Sequence, residues 1–168
     1  KHIPLAYGLL FGMPGIPCIY YGSEWGEEGA KAPDNDYALR PCFDEPKPNE
    51  LTDLIREMIS VRRSSDALCN GSYRNVVLTN HQLIFERRCQ NDRMLVAINA
   101  SDSEYIANHH ELQGKYETEL SYPRSSGTGN SAADPGDAAD EGTETKMTVT
   151  LHGQIAMPPY SVQYFHQI

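Results

Sequence analysis

The sequence predicts a mostly β protein, an antiparallel β-sandwich preceded by an incomplete α/β segment. Three observations support this. From Asn70 onward, apolar residues recur with a period of two; residues 3–13 and 49–64 carry them at helical spacing; and residues 16–21 form an uncharged run that alternates nowhere.

The first element is a helix. Ile3, Leu5, Ala6, Leu9, Leu10 and Met13 put apolar side chains on more than one side, which predicts a helix buried between layers. Gly8 and Gly12 stand one turn apart and let a neighbour approach closely. Pro14 and Gly15 end the helix. The run Ile16-Pro17-Cys18-Ile19-Tyr20-Tyr21 then reads as a strand of a parallel sheet covered on both faces, with Pro17 near its start, where no ladder hydrogen bond is lost.

Residues 22–48 form a long structured loop. Asn49 caps a helix whose apolar positions Leu51, Leu54, Ile55, Met58 and Ile59 follow the i, i+3, i+4, i+7, i+8 pattern. Glu50 and Asp53 in its first turn and Arg62 and Arg63 in its last suit the helix dipole. Strands are expected at 73–79, 82–89, 93–100 and 160–167. In two further strands, Tyr116, Thr118, Leu120 and Tyr122, and then Met147, Val149 and Leu151, alternate with polar neighbours. Residues 125–145, small and acidic, read as a mobile insertion. The division is thus 1–69 for the α/β segment and 70–168 for the sandwich. One parallel strand makes no sheet, so the segment is expected to be part of something larger.

Composition excludes several classes of function. The 168 residues are 39% hydrophobic and carry a net charge of −9; residues 22–48 and 123–145 each contribute −4. No lysine or arginine cluster offers the footprint that nucleic acid requires. Residues 3–23 are uncharged, but the helix would be only about 18 Å long, short of the roughly 30 Å hydrocarbon core, so a membrane span is not expected. Cys18, Cys42, Cys69 and Cys89 lack the paired spacing of a zinc or redox site and read as buried free thiols, which mildly favours a reducing compartment such as the cytoplasm.

Gly15-Ile16-Pro17-Cys18-Ile19-Tyr20-Tyr21-Gly22-Ser23-Glu24 resembles the stretch at barrel strand eight of the α-amylase superfamily, glycoside hydrolase family 13. On this resemblance, residues 3–13 correspond to helix seven of a (β/α)8 barrel and residues 49–64 to helix eight. Residues 70–168 correspond to the family's C-terminal β-sandwich, with MLVAINASD at 94–102 and MPPYSVQYF at 157–165 similar to its strands. The resemblance implies an incomplete (β/α)8-barrel segment followed by a sandwich. It also implies that the aspartate nucleophile, the glutamate acid/base and the stabilising aspartate all lie before Lys1. Retaining hydrolysis needs nucleophile and acid/base about 5 Å apart, so this chain alone is expected to be inactive and to hold no catalytic residue.

Loops after barrel strands face substrate. Asp36 and Arg40, spaced Asp-x-x-x-Arg, resemble a sugar-binding pair; a carboxylate and a guanidinium together accept from and donate to vicinal hydroxyls. A local salt bridge is the alternative. Trp25 stacks on a sugar or anchors the loop. Tyr21 and Glu24 belong to the structural rim, and Glu27, Glu28 and Lys31 read as a solvated face. The implied partner is an α-glucan or maltooligosaccharide, with no cofactor and no metal.

Other candidates are set aside. His109-His110-Glu111 reads as an exposed turn, its side chains otherwise pointing to opposite strand faces. Asp134, Asp137, Asp140, Glu141 and Glu144 lack the calcium-loop pattern. Asn70-Gly71-Ser72 and Asn99-Ala100-Ser101 match the glycosylation acceptor pattern, a short pattern that arises easily by chance. Two alternative roles remain: a sandwich that binds glucan alone, using Tyr105, Tyr116, Tyr122 and Tyr160, or a purely structural one. The isolated chain is expected to self-associate through residues 3–21 or to fold them against the sandwich.

Overall fold

The structure, a computed structural model, describes residues 1–124 and 146–168. The insertion expected at 125–145, with its acidic candidates, lies outside the described residues.

Helix α1 (Ile3–Gly12) carries a proline in its first turn, where the missing N–H costs nothing. It stops at Met13, which is extended (φ −71°, ψ 156°) because the following Pro14 disfavours helical backbone there. Leu5, Tyr7, Gly8, Phe11 and Gly12 are buried, whereas Ile3 and Leu9 are exposed. The helix is therefore covered on one side, not on two as its composition suggested.

Residues 16–21 do not form the expected strand. They have no ladder partner among the described residues; Ile16 is 96% exposed, and Tyr20 and Tyr21 face solvent. A parallel strand needs paired neighbours and covering layers. The six strands among the described residues pair only with one another, so the backbone here takes no regular structure. The same openness corrects the reading of the cysteines: all four are free, but Cys18, Cys42 and Cys69 are exposed.

Helix α2 (Glu50–Ser64) has the expected cap. The Asn49 side chain accepts from the Leu51 and Thr52 amides, and Thr52 Oγ1 accepts from the Asn49 amide, an arrangement worth about 1 kcal/mol. A short helix α3 (Asp66–Asn70), missed in the sequence, follows at once. Ser65 caps it, and Asp92 accepts from Ser65 Oγ at 2.8 Å and the Ala67 amide at 2.7 Å, tying the helical layer to the sheet.

Strands β1 (Ser72–Leu78), β2 (Gln82–Cys89), β3 (Asp92–Asn99), β4 (Tyr105–Tyr122), β5 (Met147–Met157) and β6 (Ser161–Gln167) pair antiparallel in the order β1-β2-β3-β6-β4-β5. The sandwich is one hydrogen-bonded sheet folded back over itself. Ile84 and Leu95 of β2 and β3 share a core with Leu112 and Tyr116 of β4 and Leu151 and Ile155 of β5. The other face, with Phe85, Val96, Leu120 and Tyr164, packs on Leu5 and Phe11 of α1 and Ile55 and Met58 of α2.

Strand β4 departs from simple alternation. Its register against β6 shifts between Thr118 and Leu120, so Tyr116 lies in one core and Leu120 and Tyr122 border the other. A second shift, between Asn108 and Gln113, places His109-His110-Glu111 inside the strand rather than in a turn. The two imidazoles stack at 4.5 Å instead of pointing apart.

Polar groups close the inner core at both ends. At one, Asn99 is fully buried and donates to the carbonyls of Ser103, Met157 and Pro158, while Gln82 donates to its oxygen at 2.9 Å. Burial removes Asn99 as a glycosylation acceptor; Asn70 is exposed. At the other end, Arg93 bonds Glu86, the Tyr116 hydroxyl (2.6 Å) and the Glu111 carbonyl (3.2 Å), and Arg74 bridges Glu86 and Glu111. Burial pushes the Glu86 carboxyl up, but Arg93 and Arg74 outweigh it and hold it below the usual range.

Candidate functional site: a cleft rimmed by the 20–41 loop

The loop after residue 21 turns sharply on two glycines. Gly22 (φ 88°) and Gly26 (φ 75°) flank a single 3₁₀ turn, Ser23–Trp25, in the left-handed region that favours glycine. At Gly22 an added Cβ would also meet the Phe43 ring at 3.0 Å. The α2 cap holds this turn: Asn49 Nδ2 donates to the Trp25 carbonyl and Thr52 Oγ1 to the Glu24 carbonyl, both at 2.9 Å. The same two residues thus start the helix and fix the loop.

Trp25 packs edge-on against Phe43 at 5.1 Å, and its indole N–H donates to Glu27, which also pairs with Lys47. Its contacts are those of a loop anchor. Glu24 lies beside Tyr7 beneath the loop, and its Oε2 is buried without a hydrogen-bond partner. Burial raises the Tyr7 phenol, a hydrogen bond to Ser23 partly offsets this, and Glu24 adds to the rise.

In front of the loop lies an open cleft of about 440 Å³, lined among others by Tyr20, Tyr21, Glu27, Glu28, Asp36 and Arg40. The structure therefore brings together Tyr21, Asp36 and Arg40 from the sequence-predicted set and places Trp25 and Glu24 outside the lining. Asp36 pairs with Lys31 at 3.7 Å; no bond joins it to Arg40 among the described residues. The local Asp36–Arg40 salt bridge is absent, and both groups face the same space. The Tyr20 and Tyr21 rings meet at a tilt of 40° with centroids 4.8 Å apart, and Tyr37, next in the chain to Asp36, is 82% exposed. Sequence reasoning missed Tyr20, having assigned it to a buried strand, and discounted Glu27 and Glu28; the Tyr-Tyr doublet beside a Gly was the available signal.

The sandwich offers less. Tyr116 and Tyr105 border the inner core and Tyr122 and Tyr160 the other, so the four tyrosines divide between opposite faces. Glu117, Glu119 and His166 bring possible metal-ligand atoms within 4.8 Å of one another, but Lys146 already holds Glu119 at 2.7 Å and Asp92 engages His166 at 3.1 Å.

No protein-family model matches the chain. It is 33% identical over 116 residues to a cyclomaltodextrin glucanotransferase of Klebsiella oxytoca, covering 63% of this chain and 17% of that protein. It is 31% identical over 114 residues to a cyclomaltodextrinase of Thermoanaerobacter pseudethanolicus (66% and 19%), and 31% identical over 124 residues to Alpha-amylase 2 of Dictyoglomus thermophilum (69% and 21%). The chain thus spans about a fifth of the length of these relatives. Among solved structures, a MutB mutant in complex with glucose superposes with a TM-score of 0.51 at 18% identity, over 77% of this chain and 19% of that one. A MutB mutant with sucrose gives 0.50 at 17%, over 69% and 17%. The structural matches speak to the fold alone. The relatives connect the chain to the α-amylase family, glycoside hydrolase family 13. Within it, the chain matches the C-terminal region of the enzymes.

Proposed function

We propose that the chain forms the C-terminal part of a retaining, α-glucan-acting glycoside hydrolase. Residues 1–69 complete a (β/α)8 barrel and residues 70–168 form the stabilising sandwich. The observation that carries the reading is the shared cleft of Asp36, Arg40, Tyr20 and Tyr21 on the loop that follows the strand-eight-like segment. A carboxylate accepting from hydroxyls, a guanidinium donating to them and exposed tyrosine faces suit a neutral sugar. In this reading Asp36 and Arg40 bind an α-glucan or maltooligosaccharide, while Trp25, Tyr21 and Glu24 shape the rim. The nucleophile and acid/base come from other parts of the enzyme.

The experiment is an assay on maltooligosaccharides of this chain alone and of the intact protein its gene encodes. The reading expects turnover only from the latter, reduced by Asp36→Ala or Arg40→Ala. Activity of the chain alone would overturn it. The division of the four sandwich tyrosines between two faces favours a structural sandwich over one that binds glucan by itself.

A further inference from the structure

Two buried arginines meet at the end of α1, and neither has a carboxylate partner among the described residues. Arg62 of α2 donates to the carbonyls of Phe11 (2.5 Å), Met13 (2.9 Å) and Gly15 (2.6 Å). Arg87 of β2 donates to those of Gly12 (2.7 Å), Gly71 (2.9 Å) and Ser72 (3.1 Å). The side chains are 7% and 1% exposed. Their guanidiniums replace the hydrogen bonds that a helix C-terminus leaves unmade, and the carbonyls, at the negative end of the dipole, compensate their charge.

The two are not equivalent. Arg87 touches only the last residue of the helix, and its other bonds go to the start of β1. Arg62 follows the backbone past the helix to Met13 and Gly15, where φ of +100° redirects the chain into residues 16–21. Pro17 and Ile19 of that segment border the same groove as Arg62. This segment has no strand partners among the described residues to fix its path, and it delivers Tyr20 and Tyr21 to the cleft and Ser23–Trp25 to the rim. Two bonds from one guanidinium are its only side-chain hydrogen bonds between Met13 and Tyr20 among the described residues, beside the packing of Met13 and Ile19 on the core.

We infer that Arg62 is a positioning residue for the sugar cleft, setting the direction in which the chain leaves α1, whereas Arg87 only secures the helix to the sheet. This rests on the cleft being the sugar site, but its first test does not use sugar. Trp25 is the sole tryptophan of the chain and reports the rim. The amides of Ser23, Gly26 and Glu27, bonded to Tyr20, Ser23 and Gly22, report the turn.

In the 168-residue chain, Arg62→Gln and Arg87→Gln are compared by Trp25 emission, by hydrogen exchange at those three amides and by denaturant midpoint. Arg62→Gln is expected to shift the emission and speed exchange at the turn by about tenfold, the change that losing one or two ordering contacts produces. Arg87→Gln is expected to lower the midpoint at least as much and leave the turn unchanged. Arg62→Lys, which keeps the charge and one carbonyl bond, restores part of the protection and serves if the glutamine variant does not fold. Unchanged exchange in both Arg62 variants, or equal loosening by Arg87→Gln, would overturn the inference. In the intact enzyme the same Arg62 variants should raise KM for maltooligosaccharide more than they lower kcat. A loosened turn with KM unchanged would leave Arg62's positioning standing and refute the sugar assignment of the cleft.

Discussion

Replacing Gly8 by alanine tests how closely α1 lies on the sheet. An added Cβ would sit 2.5 Å from Val162 Cγ2 and 3.1 Å from both Val162 Cβ and Cγ1, whereas carbons pack at about 3.5–4.0 Å. One of the two elements must therefore move by about 1 Å. Val162 is fully buried in β6, between β3 and β4, and has no open space to enter. The helix is no freer: the Gly8 carbonyl itself accepts from the buried Tyr164 hydroxyl at 2.5 Å, and Arg62 and Arg87 hold its far end. Overpacking at such a site costs about 3 kcal/mol, the upper part of its range. Alanine returns about 1 kcal/mol of helix propensity. The net loss should be about 2 kcal/mol, a fall in Tm of about 4–8 °C for a chain of this size. Urea denaturation of Gly8→Ala, Val162→Ala and the double variant measures it, and the two changes should be less than additive because the second vacates the space the first needs. A Gly8→Ala protein as stable as the parent would refute close packing here.

Four further outcomes are expected. Glu86 has a folded pKa below its unfolded value, so its contribution is present above the usual carboxylate range and lost as pH falls through the folded value; acid titration of stability should show a loss below about pH 4.5. Glu86→Gln should flatten that loss while costing about 3 kcal/mol at neutral pH, because Arg93 stays buried without a carboxylate to compensate its charge. Asn49→Ala should destabilise α2 by about 1–2 kcal/mol and also free the Trp25 carbonyl, seen as a shift in Trp25 emission. Light scattering of the isolated chain should show association through the exposed Ile3, Leu9 and Ile16 or, if the chain is monomeric, slow exchange in α1, which packs on the sheet; a monomer with fast exchange throughout 3–21 contradicts both.

The elements that carry their own stabilisation were legible in the sequence. Helix α2 announces itself through Asn49, the apolar stripe from Leu51 to Ile59 and the terminal charges, and a strand lies at each place where period-two patterning put one, although β4 already begins at Tyr105 and β5 runs on to Met157. Residues 16–21 failed for the opposite reason. Apolarity alone does not make a ladder, and none of the six strands pairs with them among the described residues. The shifts in β4 were equally hidden, since a bulge moves Leu120 to the other face without changing its identity. In the cleft, Asp36 and Arg40 were singled out by their resemblance to a sugar-binding pair, and both line it. The exposure of Tyr20 and the withdrawal of Trp25 against Phe43 depend on contacts between residues far apart in the chain.

The most direct test of the whole account is the hydrolysis of maltoheptaose by the intact protein encoded with this chain, beside its Asp36→Ala, Arg40→Ala variant and the chain alone. The account expects α-glucan cleavage by the intact protein, a raised KM in the variant and no turnover by the chain. An intact protein inert toward α-glucans, or turnover by the 168 residues alone, would contradict it.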